Sequence, residues 1–275
     1  MRPRARLPCL APAAHASHCP PLHPRYGLAF ALASGYQHPL TKDEDKPSMR
    51  KECEGLLREV LSIEPGHQQA HYHLANIYSD SGRSDKAEIH YRESIRLKEN
   101  CINSRYNLSI ILQQNGETNE AQVHLRAVLR FEPSHKHALN NMGLLAETSG
   151  ETNKAKEHFR EAVKLDPKFS AAYNNLGMLL SREALTEEAV SCFSKALKYD
   201  KDFLQAHFNM ALAMTKLTNF EDAVKHFQRV ILVNPNEKDA HFMLSTIYDK
   251  QGKKKRADFH RDAVQRIQSE QTMGP

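Results

Sequence analysis

Alanine returns every 34 residues along most of this chain, at Ala87, Ala121, Ala155, Ala189, Ala223 and Ala257, with Cys53 one step earlier. The prolines Pro65, Pro133, Pro167 and Pro235 keep the same beat, separated by 68, 34 and 68 residues, and Glu99 and Lys201 fill the two missing steps. A period held through six units without insertion constrains the fold more than any compositional property. Each unit is one supersecondary motif that cannot bury its apolar face alone, so neighbours must stack. The length of 275 residues therefore does not imply one or two ordinary globular cores.

Within a unit the apolar spacing is helical. In the unit starting at Ser170, Tyr173, Leu176 and Leu180 mark a first helix, and Ala189, Phe193, Ala196 and Leu197 a second. The turn between them carries Gly82, Gly116, Gly150 or Gly252 in four units, where a helix end calls for a left-handed residue, and Ala184 or Thr218 in the other two. Small residues Ala75, Ser109, Gly143, Gly177, Ala211 and Ser245 recur on the first helix, which lets the paired helices approach closely. Phe159, Phe193 and Phe227 are expected to fill the gap to the next unit, and a proline then stops the second helix.

These residues resemble the tetratricopeptide repeat (TPR) pattern, as in Leu139, Met142, Gly143, Ala155, Phe159 and Pro167, and in Tyr173, Leu176, Gly177, Leu180, Ala189 and Phe193. The resemblance implies an all-α TPR solenoid, a right-handed superhelix of helix-turn-helix repeats. Six full repeats are expected at 68–101, 102–135, 136–169, 170–203, 204–237 and 238–271, followed by a short tail at 272–275. Residues 47–67 read as a partial repeat with only its second helix, Lys51–Glu64. That orphan helix reads either as the ragged edge of a fragment, or as a surface over which the preceding tail folds back. At the other end Arg261 replaces Phe193 and Phe227, a polar finish for the last repeat.

Residues 1–46 differ in composition. They hold seven of the 13 prolines and four of the 16 histidines, and their net charge of +3 exceeds the +2 of the remaining residues. A disordered basic Pro/His-rich tail is expected, with mitochondrial presequence and secretory signal as alternatives that its prolines disfavour. The near-neutral repeats lack the basic stripe of a nucleic-acid binder. No apolar run approaches the about 20 residues of a spanning helix, so no membrane insertion is expected. Five scattered cysteines point to free thiols and a cytoplasmic setting.

No catalytic motif is present, and no cofactor or metal is implied. Cys9, His15, His18, Cys19 and His23 match no zinc spacing. His71, His207 and His241 take the place of the family's large first-helix residue and read as half-buried packing groups. The run Lys250, Lys253, Lys254, Lys255 and Arg256 reads as a nuclear address or as a solvated turn; its place inside the last repeat favours the turn.

A protein or peptide partner is the remaining expectation. Asn107, Asn141, Asn175 and Asn209 share one first-helix position, and a carboxamide can both donate to and accept from a peptide backbone. Three residues on stand Ile110, Leu144, Met178 and Leu212, flanked by Tyr106 and Phe208. The ladder resembles that of the O-linked N-acetylglucosamine transferase repeats, although asparagine at this position is common in the family. The heat-shock-protein carboxylate clamp is not expected: its positions hold Tyr72, Asn76, Asn107, His137 and Asn141, with every cation missing.

The whole-chain reading is a non-catalytic scaffold binding an extended peptide or helix in the concave groove. The alternative is a detached repeat region of a glycosyltransferase. Polarity of the capped end favours the transmembrane-and-TPR O-mannosyltransferase type over the N-acetylglucosamine transferase type, and would move the repeats to the endoplasmic reticulum. The sequon Asn107-Leu108-Ser109 lies within a helix and lends that location no support.

Overall fold

The structure, a computed structural model, describes residues 26–30 and 46–272. Residues 26–30 are a short helical segment, and thirteen longer helices follow: α1 Lys46–Ile63, α2 Gln68–Asp80, α3 Ser84–Leu97, α4 Ile102–Asn115, α5 Thr118–Phe131, α6 Lys136–Thr148, α7 Thr152–Leu165, α8 Ser170–Arg182, α9 Thr186–Tyr199, α10 Leu204–Lys216, α11 Phe220–Val233, α12 Lys238–Lys250 and α13 Lys254–Thr272. None is long and apolar enough to cross a membrane. The described residues form an all-α solenoid of consecutive helix pairs and fall into two compact units, divided between Ser104 and Arg105.

The turns explain why one sequence period makes one helix pair. Gly82, Gly116, Gly150 and Gly252 adopt φ of +71°, +84°, +76° and +71°. At Gly150 the left-handed residue lets Glu151 N–H reach the Ala146 carbonyl at 2.8 Å and its own N–H reach Glu147 at 3.0 Å, closing the helix end by a Schellman motif. Ala184 (φ +62°) and Thr218 (φ +59°) hold the same conformation without glycine. Their turns keep the equivalent bonds, Leu185 N–H to Leu180 O and Asn219 N–H to Met214 O, both 2.9 Å.

In the second unit α6 packs on α7, α8 on α9, α10 on α11 and α12 on α13, and each second helix packs on the next first helix. The alanines of the 34-residue series are fully buried where paired helices cross. Phe159, Phe193 and Phe227 are buried beside them. A Cβ built on Gly143 would lie 2.5 Å from the Phe159 ring, and one on Gly177 2.6 Å from Phe193, so the small first-helix residue makes room for the aromatic. Arg261, where the aromatic would next fall, is exposed and pairs with Asp249 at 2.8 Å and with Asp258.

In the first unit α1 begins at Lys46, five residues before the helix read from the sequence, with Pro47 in the first turn where its missing N–H costs no bond. Its stripe of Cys53, Leu57 and Val60 is buried. Five residues of the stretch expected to be a disordered tail supply part of the cover. Residues 26–30 are helical, Tyr26 and Ala29 are buried, Tyr26 Oη donates to Gln69 Oε1 at 3.0 Å, and Cys53 Sγ donates to the Ala29 carbonyl at 3.2 Å. The correction has a simple cause: a second helix without its partner leaves an apolar face that the preceding chain can bury. The rest of that tail, with its Cys/His cluster and the targeting readings, lies outside the described residues.

Candidate functional site

The candidate site belongs to the second unit, on the first helices α4, α6, α8 and α10. Neighbouring first helices touch, α6 with α8 and α8 with α10, so one repeat position forms a column along one face. Asn141, Asn175 and Asn209 are half-buried in that column, whereas Asn107 is buried.

The carboxamides are tied together. Asn175 Nδ2 donates to Asn140 Oδ1 at 2.9 Å, and Asn209 Nδ2 donates to Asn174 Oδ1 at 2.9 Å. Asn175 and Asn209 thus each spend one donor on the preceding repeat, and the Asn209 Oδ1 also accepts from Gln205 Nε2 at 3.4 Å. Asn140 and Asn174, themselves buried, are the holders, and sequence reasoning passed over them. The signal was present in the dipeptides Asn140-Asn141 and Asn174-Asn175, 34 residues apart. At another first-helix level Arg182 pairs with Glu147, and Lys216 Nζ donates to the Ser181 carbonyl at 3.1 Å, a second row of links between repeats.

The apolar members are shared between face and core. Ile110, Leu144, Met178 and Leu212 are half-buried. Leu144 and Met178 pack against the cluster around Phe159 and Phe193, and Leu212 and Phe208 against the cluster around Phe227. Phe208 meets Phe227 edge-on at 5.5 Å between centroids. Tyr106 bonds to Asn141 and lies 4.9 Å from the His135 ring; burial pushes its phenol up to about 12, against the pull of that bond. In the first unit Asn76 is buried and accepts from Tyr91 Oη at 2.6 Å, so it is not presented to a ligand.

The three histidines read as packing groups have partners the sequence did not announce. His71, His207 and His241 meet His90, His226 and His260 through Nδ1 to Nδ1 contacts of 2.9, 2.8 and 2.9 Å. Their Nε2 atoms lie 3.0 Å from the carbonyls of Pro65, Lys201 and Pro235. A carbonyl can only accept, so Nε2 carries the proton, Nδ1 is the lone pair, and the second histidine donates from its own Nδ1. Burial, then the facing imidazole, draws His90 and His260 down to about 4 and lowers His226. Each chain of two imidazole rings and a carbonyl ties the second helix to the turn before the first. The His-to-His spacing of 19 residues, repeated three times, was the overlooked signal. Among the described residues no three His, Cys, Asp or Glu side chains gather as metal ligands do.

Repeat, turn geometry and packing together define a TPR array. Four sequence profiles described as tetratricopeptide repeat match residues 68–101, 137–169, 158–191 and 208–268. The chain belongs to the tetratricopeptide repeat family. Comparison with curated protein sequences gives no match. Among solved structures, PilF of Pseudomonas aeruginosa is similar, with 18% identity, a TM-score of 0.65, and 74% of this chain and 97% of PilF covered. A chain of the APC/C hetero-tetramer Cut9–Hcn1 aligns over 88% of this chain and 52% of its own length, with 14% identity and a TM-score of 0.67. YrrB, described as a TPR protein with an unusual peptide-binding site, shares 18% identity over 67% of this chain and 95% of its own, with a TM-score of 0.52. At these identities the likeness concerns the fold alone.

Proposed function

We propose that the chain is a protein-interaction scaffold that holds an extended peptide along the first-helix face of its second unit and catalyses nothing itself. The observation that carries this is the braced carboxamide column. Asn175 and Asn209 are held by Asn140 and Asn174 at 2.9 Å, so their remaining acceptor and donor are oriented before a ligand arrives. A preorganised group loses less side-chain entropy on binding, and carboxamides serve a peptide backbone whatever its side chains. Leu144, Met178 and Leu212 supply apolar contact between the polar steps. The peptide-binding description of the fold neighbour YrrB is consistent with this use of a TPR array. The free thiols Cys53, Cys101 and Cys192 fit a cytoplasmic setting. Asn76 being held by Tyr91, with no lysine or arginine at the clamp positions, disfavours capture of a C-terminal carboxylate.

The test replaces Asn141 and Asn175 with Ala and compares partners captured by the wild-type chain and the variant, with helicity checked by circular dichroism. Loss of partners at retained helicity is expected. An unchanged set of partners would refute the asparagine column as the binding element.

A further inference from the structure

A cavity of about 510 Å³ lies among α5, α6 and α7, and none of the asparagine-column residues lines it. Its depth is apolar: Met142 and Ala146 are buried and Leu129 is half-buried. Its exposed lining carries three cations, Arg126 and Arg130 from α5 and Lys154 from α7, and one carboxylate, Glu151. Lys154 is balanced by Glu151 at 3.0 Å. The two arginines form no ion pair among the described residues.

One repeat earlier the same two positions are neutralised. Arg92 pairs with Glu88 at 3.0 Å, and Arg96 with Glu93 at 2.6 Å. Moving forward 34 residues keeps both arginines, as Arg126 and Arg130, but turns the carboxylates into Gln122 and Ala127. An array with an internal copy of the neutral solution has, at this one cavity, kept the cations and dropped their partners. Arg126 and Arg130 are four residues apart and share a face of α5, about 6 Å from each other at Cβ. Their forked donors match a carboxylate or phosphate, and a guanidinium sheds water more readily than an ammonium. Burial holds the His158 imidazole at the cavity wall below its usual range, which leaves it neutral near pH 7. The volume falls within the about 300–1,000 Å³ of small-ligand sites.

We propose that this cavity binds an amphipathic organic anion, its phosphate or carboxylate head held by Arg126 and Arg130 and its apolar body seated on Leu129, Met142 and Ala146. The site is separate from the peptide column, and occupancy of one does not require the other.

The test titrates the full chain with hexyl phosphate, hexanoate, inorganic phosphate and hexanol, following heat and the Met142 methyl resonance. At least one organic anion is expected to bind and shift Met142, about tenfold more tightly than inorganic phosphate or hexanol, with affinity falling as salt rises. The tighter of hexyl phosphate and hexanoate assigns the head group. Gln122→Glu with Ala127→Glu restores the pairing of the preceding repeat and leaves the apolar floor intact. It is expected to weaken binding about tenfold at unchanged helicity, as is Arg126→Gln with Arg130→Gln. Failure of both organic anions to bind would overturn the proposal. So would inorganic phosphate binding as tightly as hexyl phosphate, or the Glu-restored variant binding as the wild type does.

Discussion

Replacing Gly143 with Ala tests the packing that sets the repeat spacing. In an exposed helix this change stabilises by about 0.5–1 kcal/mol, because glycine loses more backbone entropy on folding. Here the new methyl would sit 2.5, 2.8 and 2.9 Å from Cε1, Cδ1 and Cζ of Phe159, a ring with no solvent exposure. Ordinary contact begins near 3.4 Å, so ring and methyl must separate by about 1 Å inside a close-packed core. Overpacking of this kind costs about 1–3 kcal/mol, which set against the helix gain leaves a net loss of up to about 2.5 kcal/mol. The native pair Ala211 and Phe227 shows that the separation can be made, and keeps the expected cost near the lower end. Urea unfolding followed by circular dichroism measures the loss, and hydrogen exchange should find it concentrated in α6 and α7. Phe159→Leu removes the obstacle and copies the native pair Ser109 and Leu125. The double variant should then be more stable than the summed single effects by about 1 kcal/mol. A stabilised Gly143→Ala, or strict additivity in the double variant, would refute the steric argument.

Ala184→Gly and Thr218→Gly should each stabilise by about 1 kcal/mol, since both residues hold left-handed φ that strains a side chain; thermal midpoints that do not rise would contradict this. Stability should also fall as pH drops from about 6.5 towards 4. Unfolded histidine titrates near 6.5, whereas His90 and His260 are held down to about 4 in the folded chain, so the unfolded state takes up protons that the native state refuses. Discounted for solvent screening, each of these pairs should be worth about 1 kcal/mol. Urea midpoints equal at pH 7.5 and pH 5.0 would show that the pairs contribute nothing. Asn140→Ala and Asn174→Ala each remove an acceptor that holds the next repeat's asparagine, and should each cost about 1 kcal/mol by the same assay.

The helical array was legible because its determinants are single residue types at fixed repeat positions. The alanine series marks each helix crossing, and Gly143 and Gly177 point to the aromatic opposite them. Even the two turns without glycine follow, since the bonds from Leu185 and Asn219 to the preceding helix hold Ala184 and Thr218 left-handed. What stayed hidden depends on pairs brought together by tertiary geometry. Asn140 and Asn175 meet only after one repeat rotates onto the next, and His71 and His90 only after two helices fold back on each other. The direction of the histidine bonds needs the Pro65 carbonyl in place before either tautomer is determined. Residues 26–30 read as tail because the stretch around them is rich in proline and positive charge, while burial of Tyr26 and Ala29 depends on α1 and α2, with Cys53 meeting Ala29, and His67 and His73 meeting Tyr26. The two unpaired arginines of α5 become visible in sequence only when one repeat is laid over another.

Affinity for a backbone-reading peptide is the most direct test of the binding role. Twelve-residue peptides selected on the wild-type chain from a random display library should bind Asn141→Ala/Asn175→Ala/Asn209→Ala at least about tenfold more weakly, by fluorescence anisotropy, with thermal unfolding still cooperative. Peptides that bind the triple variant as tightly as the wild type would place recognition elsewhere on the array.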